Sequence, residues 1–195
     1  MIVGISGKYC AGKSTVAAIL EKRGFYIIDA DRLGQTALEI AKDKVVERFG
    51  DGILLPDGTV DRKKLGAIVF ADRKALKDLE AISHPEIRRM AVELVEKYRE
   101  KQPLAIDAAL LFAIDFPCPF DCIIWVKAPF LYRVRRSRKR DGLPFVQLLK
   151  RMWAQRKLAP KSSTAFVDMY TVINKGDMHS LEVQIDQILR KEVQV

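Results

Sequence analysis

Histidine, tryptophan and cysteine are all scarce in this 195-residue chain, with two His, two Trp and three Cys. Cys10, Cys118 and Cys122 are an odd number without the grouping of zinc ligands, so neither a disulfide framework nor a Cys-based metal site is indicated. A reducing, cytoplasmic setting is the expectation, with Cys118 and Cys122 as small apolar residues flanking a strand. Long hydrophobic runs are missing too. No stretch approaches the ~20 apolar residues of a membrane span, and Met1-Ile2-Val3-Gly4-Ile5 has no basic segment ahead of a long apolar one. The chain is therefore expected to use no membrane, and its start reads as a buried first strand.

What is present is 49% apolar content at a mean hydropathy of −0.03, enough for one sizeable core in a single domain. The net charge of +9 is not spread evenly. Between Lys127 and Lys161 stand 12 Lys or Arg against one acidic residue, Asp141, while the rest of the chain holds 22 basic and 24 acidic residues. An excess confined to one stretch suits an element that closes over polyanionic ligands better than a generally basic surface. A nucleic-acid-binding module remains the reading from a different class. It lacks the aromatic interleaving of base-stacking surfaces, so no nucleic-acid partner is expected.

Short β-branched or aromatic runs alternate with longer helical patterns, the signature of βαβ units and an α/β fold. Near-continuous apolar runs predict five parallel strands near Ile2–Ser6, Phe25–Ile28, Leu104–Asp107, Cys122–Lys127 and Tyr170–Ile173, covered on both faces. A first helix should start near Lys13, carry Val16, Ala17 and Leu20 inward and stop at Gly24; a last one should bury Leu181, Ile185 and Ile188. About 75 residues separate strands two and three, with a turn at Pro56-Asp57-Gly58 and helical stretches around Arg62–Phe70, Lys74–Ile82 and Pro85–Glu100. The expected organisation is one domain: a core of residues 1–30, 103–127 and 165–195, a helical substrate-binding insertion of about 31–102, and a basic helical lid of about 128–164.

Gly7-Lys8-Tyr9-Cys10-Ala11-Gly12-Lys13-Ser14 fits the phosphate-binding loop pattern, in which backbone N–H groups at the start of a helix wrap phosphate oxygens. Its position between a predicted strand and a predicted helix is the context the motif requires. Lys13 should reach the β- and γ-phosphates of ATP, and the Ser14 hydroxyl should ligate Mg²⁺; Thr15 belongs to the first helical turn. Such a loop serves kinases, GTPases and motor ATPases alike, so the acceptor side has to decide.

On that side, strand two runs into Asp29-Ala30-Asp31, and period-two alternation would put both carboxylates on one side of its C-terminal edge, where ligands of parallel sheets bind. Either Asp also suits the N-cap of the following helix. Asp107 ends strand three, as a water-mediated Mg²⁺ holder or a turn cap. His84 precedes Pro85, and Pro favours the first position of a helix, so His84 stands either at a helix entrance or against a ligand. Arg136 and Arg140 share a helical face, while Arg133, Arg135, Arg138 and Lys139 read individually as a solvated face. Phe145, Leu148, Leu149 and Met152 form an apolar face on the next segment.

The phosphate loop, Ile28-Asp29-Ala30-Asp31, Asp57-Gly58-Thr59-Val60-Asp61-Arg62 with Lys64-Leu65, Phe70, Leu79, His84-Pro85-Glu86-Ile87, Leu110-Leu111-Phe112, Arg136, Arg140-Asp141, Arg151, Gln155 and Asn174-Lys175-Gly176 occur in that order. Together they resemble the dephospho-coenzyme A kinase family over nearly the whole chain. The resemblance implies a nucleoside-monophosphate-kinase-like core and transfer of phosphate from ATP to the ribose 3′-hydroxyl of dephospho-CoA. It also implies that Asp31 accepts the hydroxyl proton, His84 lies in the substrate groove, Arg136 and Arg140 clamp phosphate, and Arg151 and Gln155 are weaker substrate candidates. Another small-molecule or nucleoside-monophosphate kinase is the competing enzyme reading. The chain departs from the family in having Lys8 and Cys10 where members carry glycine, and Ala109 and Ala113 where members carry proline and glutamate, with Asp115 the nearest replacement carboxylate. A side chain at Cys10 is expected to strain the loop.

Overall fold

Five strands, β1 (Ile2–Gly7), β2 (Tyr26–Asp29), β3 (Leu104–Asp107), β4 (Cys122–Lys127) and β5 (Asp168–Ile173), pair in the order β2-β3-β1-β4-β5 in the computed structural model, which describes residues 1–109, 111, 119–141 and 167–193. Every pairing is parallel. The α/β fold class and the five expected strands hold, with boundaries displaced by at most two residues. Among the described residues the helices are α1 (Lys13–Lys22), α2 (Ala30–Ile40), α3 (Lys42–Phe49), α4 (Arg62–Ala71), α5 (Arg73–Tyr98), α6 (Phe130–Asp141) and α7 (Met178–Val193). None is long and apolar enough to cross a membrane.

Alternate residues of the strands, Val3, Ile5, Ala105, Cys122, Ile124 and Val126, form one buried cluster with Val16, Ile19 and Leu20 of α1 and Leu181, Ile185 and Ile188 of α7. Both helices thus bury the faces their periodicity predicts. At about 1.5–3 kcal/mol for each fully buried aliphatic side chain, this contact outweighs the partly exposed pair in which Arg23 Nε and Nη2 donate to Asp186 at 2.7 and 2.9 Å, since such pairs contribute about 0.2–1 kcal/mol. The Arg23 hydrogen bonds hold the Asp186 carboxyl below its usual range. Cys122 lies in the core, where burial pushes its thiol up to about 12. At the open edge of the sheet, Ile173 N–H donates to Gln184 Oε1 at 2.9 Å, and Gln184 Nε2 donates back to Ile173 O at 3.2 Å.

The chain divides into two compact units, Met1–Asp29 with the described part of Val95–Val195, and Ala30–Leu94. The second unit has its own core of Ala41, Val45, Ile53, Val60, Leu65, Val69 and Ala75. Its turn is built as the sequence suggests: Asp57 Oδ1 accepts from Thr59 N and Oγ1 at 3.0 and 2.7 Å, and Gly58 takes φ 79°. These two bonds hold the Asp57 carboxyl below its usual range. Leu54 and Val60 then bridge antiparallel, and Asp61 caps α4 by accepting from Lys63 N and Lys64 N. In this chain the Asp57-to-Arg62 motif therefore has a local structural purpose. Asp61→Ala is expected to destabilise the protein by about 1 kcal/mol, read as a fall of about 2–4 °C in Tm; an unchanged Tm would show that the cap contributes nothing.

Two expectations fail here. The stretches Lys74–Ile82 and Pro85–Glu100 are not separate helices but fall along α5, which has Pro85 inside it and ends at Tyr98. Pro85 has no N–H for the carbonyl four residues back, and Ser83 Oγ bonds to Leu79 O at 2.8 Å instead of completing a new cap. His84 accordingly stands in mid-helix, half-buried, rather than at a helix entrance. Asp29 and Asp31 likewise do not alternate along one strand, because β2 stops at Asp29 and α2 begins at Ala30. Asp31 falls in the first helical turn, where an acidic side chain is favoured by the helix dipole.

Candidate active site

β1 delivers the chain to the phosphate loop at the C-terminal edge of the sheet, between β3 and β4. Gly7 is required there because a Cβ would come within 2.5 Å of the Val126 carbonyl oxygen. Past it, Ala11 N–H donates to Lys8 O at 3.0 Å, closing a tight turn before α1. Gly12, at φ 100°, is the residue before the helix, and a Cβ on it would collide with the Asn174 side-chain amide. Positive φ and close approach both demand glycine at this position.

Cys10 has φ 57°, and among the described residues it is the non-glycine residue in the left-handed region. The expected strain is thus located at Cys10 and not at Lys8; a side chain held there costs about 1–2 kcal/mol. Cys10 is half-buried.

Lys13 opens α1, and its Nζ lies 3.9 Å from Asp107 Oδ1, both side chains being mostly buried. Asp107 pairs in register with Ile5 on one side and Asp29 on the other, so the ends of three adjacent strands carry Asp29, Asp107 and the loop. Ser14 and Thr15 follow in the first turn of α1, Ser14 exposed and Thr15 half-buried. That turn contains no acidic residue. The positive end of the helix dipole is uncompensated by the helix itself and faces the loop, which favours a bound anion.

Behind the loop lies α6. Arg133 Nε donates to Tyr9 O at 2.8 Å, and Arg136 Nη1 donates to Ala11 O at 3.0 Å. Arg136 Nη2 also donates to Asn174 Oδ1 at 2.5 Å and, more weakly, to Asn174 O at 3.4 Å. Asn174 is itself buried, and its Oδ1 accepts from Gly176 N as well. Tyr9 and Ser137 hydroxyls are 3.1 Å apart, and the Arg140 guanidinium carbon sits 5.0 Å from the Tyr9 ring centroid, within cation–π range.

The structure therefore brings Gly7 through Thr15, Asp107, Arg136 and Arg140 together in one unit. Asp31 and His84 belong to the other unit, Asp31 exposed and His84 half-buried. Arg151, Gln155, Phe112, Ala113, Asp115 and Cys118 lie outside the described residues.

Arg133 and Asn174 are the residues that the site reading missed. Arg133 is 9% exposed rather than part of a solvated face, and burial pulls its guanidinium below the ordinary arginine value. The signal was present in the spacing: Arg133, Arg136, Ser137 and Arg140 fall at three- and four-residue steps, which is one helical face. Arg135 and Arg138 are exposed as expected.

Comparison with known proteins supplies the chemical context that a phosphate loop alone leaves open. The dephospho-CoA kinase family model matches residues 1–178. Similar proteins include dephospho-CoA kinases of Geobacter sulfurreducens, 40% identical over 97% of this chain and 98% of the relative, and of Bacillus licheniformis, 33% identical over 97% and 95%. Among solved structures, a Thermus thermophilus protein is 31% identical with a TM-score of 0.82, covering 98% of this chain and 97% of its own. The dephospho-CoA kinase from Campylobacter jejuni shares the fold at 21% identity and a TM-score of 0.63, covering 98% of this chain and 96% of its own. A match that runs from the phosphate loop through the second unit and on past Asn174 embraces the donor side and the acceptor side at once, and on that ground the chain belongs to the dephospho-CoA kinase family.

Proposed function

We propose that this protein transfers the γ-phosphoryl group of ATP to the ribose 3′-hydroxyl of dephospho-CoA, giving coenzyme A and ADP, the last step of coenzyme A synthesis. The observation that carries the reading is the formed phosphate loop, with Lys13 and the N-terminus of α1 at the sheet edge, in a chain that matches the family along nearly its whole length. Phosphoryl transfer demands alignment and charge neutralisation more than covalent chemistry. The loop N–H groups and Lys13 would hold the β- and γ-phosphates, and Arg140, with Arg136, would approach the transferring group from α6.

Within this proposal, residues of about 31–102 are the helical substrate-binding insertion, and α6 belongs to a basic lid of about 128–164, whose residues 142–164 lie outside the described ones. Asp31 orients the ribose hydroxyl and takes its proton, His84 contacts the substrate, and Arg151 and Gln155 are further substrate contacts. The donors available for Mg²⁺ are hard oxygens, the Ser14 hydroxyl and the Asp107 carboxylate. Among the described residues no group of three His, Cys, Asp or Glu forms a metal cage. Such an ion neutralises charge between the phosphates when bound. The setting is the cytoplasm, and the chemistry calls for neither membrane nor nucleic acid.

The test is incubation with ATP, Mg²⁺ and dephospho-CoA, with the product weighed by mass spectrometry. Coenzyme A heavier than the substrate by a single phosphate is the expected result, lost on chelation with EDTA. Folded protein that yields no coenzyme A at saturating ATP would overturn the reading, and turnover of a nucleoside monophosphate instead would favour the competing kinase.

A further inference from the structure

The two carbonyls that flank Cys10 in the chain, those of Tyr9 and Ala11, are each held by an arginine of α6: Arg133 Nε on Tyr9 O at 2.8 Å and Arg136 Nη1 on Ala11 O at 3.0 Å. Between them lies the left-handed residue, Cys10 at φ 57°. A non-glycine residue persists in that conformation only where its surroundings over-determine it.

Arg133 is an unusual residue to find in such a position. It is 9% exposed, and its Nη2 is buried with no partner among the described residues. Among the described residues no carboxylate forms an ion pair with it. A desolvated guanidinium spending itself on one neutral carbonyl is poorly used for stability alone, because burying a cation without a carboxylate is unfavourable. The one side-chain hydrogen bond it makes among the described residues falls next to the strained residue.

We propose that Arg133 is a positioning residue for ATP: by fixing the Tyr9 carbonyl outward, while Arg136 fixes that of Ala11, it holds the Cys10 turn in the shape that presents the loop N–H groups to phosphate. The carbonyl and the N–H of one peptide unit point in opposite directions. Pinning the Tyr9 carbonyl toward α6 therefore turns the Cys10 N–H away from it, and pinning that of Ala11 does the same for Gly12 N–H. Arg133 acts through the backbone and touches no substrate, which separates it from Arg140, whereas Arg136 shares the bracing role through Ala11 O.

The proposal rests on the loop being the ATP site, and it predicts a specific coupling. Glycine adopts φ near +60° without strain, so a loop with Gly at position 10 should need its brace less. Four proteins are compared: the natural chain, Arg133→Ala, Cys10→Gly and the double variant. Each is measured for MgATP affinity, for KM of both substrates and for kcat, with Tm as a check on folding. In the natural background Arg133→Ala is expected to raise the ATP Kd about tenfold or more, the scale of one charge-assisted hydrogen bond, with kcat and the dephospho-CoA KM changing much less. In the Cys10→Gly background the same substitution is expected to raise it less than about threefold. If Arg133→Ala does not fold, Arg133→Gln takes its place in the cycle, and Arg135→Ala, on the exposed side of α6, serves as the unaffected control.

Equal penalties in the two backgrounds would overturn the proposal, because they would show that Arg133 does not act on the Cys10 turn. An unchanged ATP affinity, or a loss confined to kcat, would overturn it too. A natural chain that binds no ATP at all would instead strike the functional reading on which the brace rests.

Discussion

Lys13→Ala is expected to lower kcat/KM for ATP by about 10²–10³-fold, the range seen when a preorganised donor to a developing oxyanion is removed. The reasoning is electrostatic. Lys13 opens α1, its ammonium held within 3.9 Å of Asp107 in a mostly buried setting where charge is poorly screened. Charge that spreads over the transferring group would be stabilised by this ammonium. Lys13→Arg should not restore activity, since a planar fork replaces a compact point charge in a confined position. Steady-state kinetics with ATP as the varied substrate, together with an MgATP binding isotherm, provides the check. A fall of less than about tenfold would mean that the loop N–H groups carry the phosphate without the lysine.

The second large effect is expected at Asp31. Asp31→Asn keeps the size of the side chain and its place in the first turn of α2, but removes the carboxylate that would accept the ribose proton. The expected loss is in kcat, by about 10²-fold or more, the contribution of a positioned acid–base group, with ATP affinity retained. An interaction made only in the transition state lowers kcat rather than raising KM. Near-normal turnover in this variant would assign the proton to another group, with Asp29 at the end of β2 as the next to be replaced.

Most of the architecture was legible because its signals are local. Continuous apolar runs such as Cys122–Lys127 announce strands covered on both faces, and the glycines at 7 and 12 announce a loop whose backbone is closely approached, by the Val126 carbonyl at one and the Asn174 side chain at the other. The failures share a different cause. Pro85 reads as a helix start by propensity, yet α5 runs through it, since the packing of a 26-residue helix overrides one missing hydrogen bond. Asp31 follows Asp29 at a strand-like interval, but the chain changes period between them, and no property of the two carboxylates signals where a strand ends. Arg133 was the deepest miss. Arginine is rarely buried without a carboxylate partner, so a composition-based reading places it in solvent, and only the three-dimensional path of the Tyr9 carbonyl shows why it lies inside. Cys10 was the converse case: of the two positions where an expected glycine is absent, Lys8 and Cys10, the strain anticipated at Cys10 is where the left-handed backbone lies.

The amide of Gln184 carries a consequence for how copies of this protein meet. Every open sheet ends in a strand whose outer N–H and C=O groups invite another chain to pair with them, and in β5 the apolar residue most open to such pairing is Ile173, 47% exposed. A carboxamide has the same donor and acceptor as a peptide unit, and Gln184 presents both to Ile173, occupying its N–H and C=O together. The side chain is thus a one-residue imitation of a sixth strand. A second molecule arriving edge to edge would have to displace that imitation before gaining any ladder bond at Ile173, and so strand addition at this position is opposed from within.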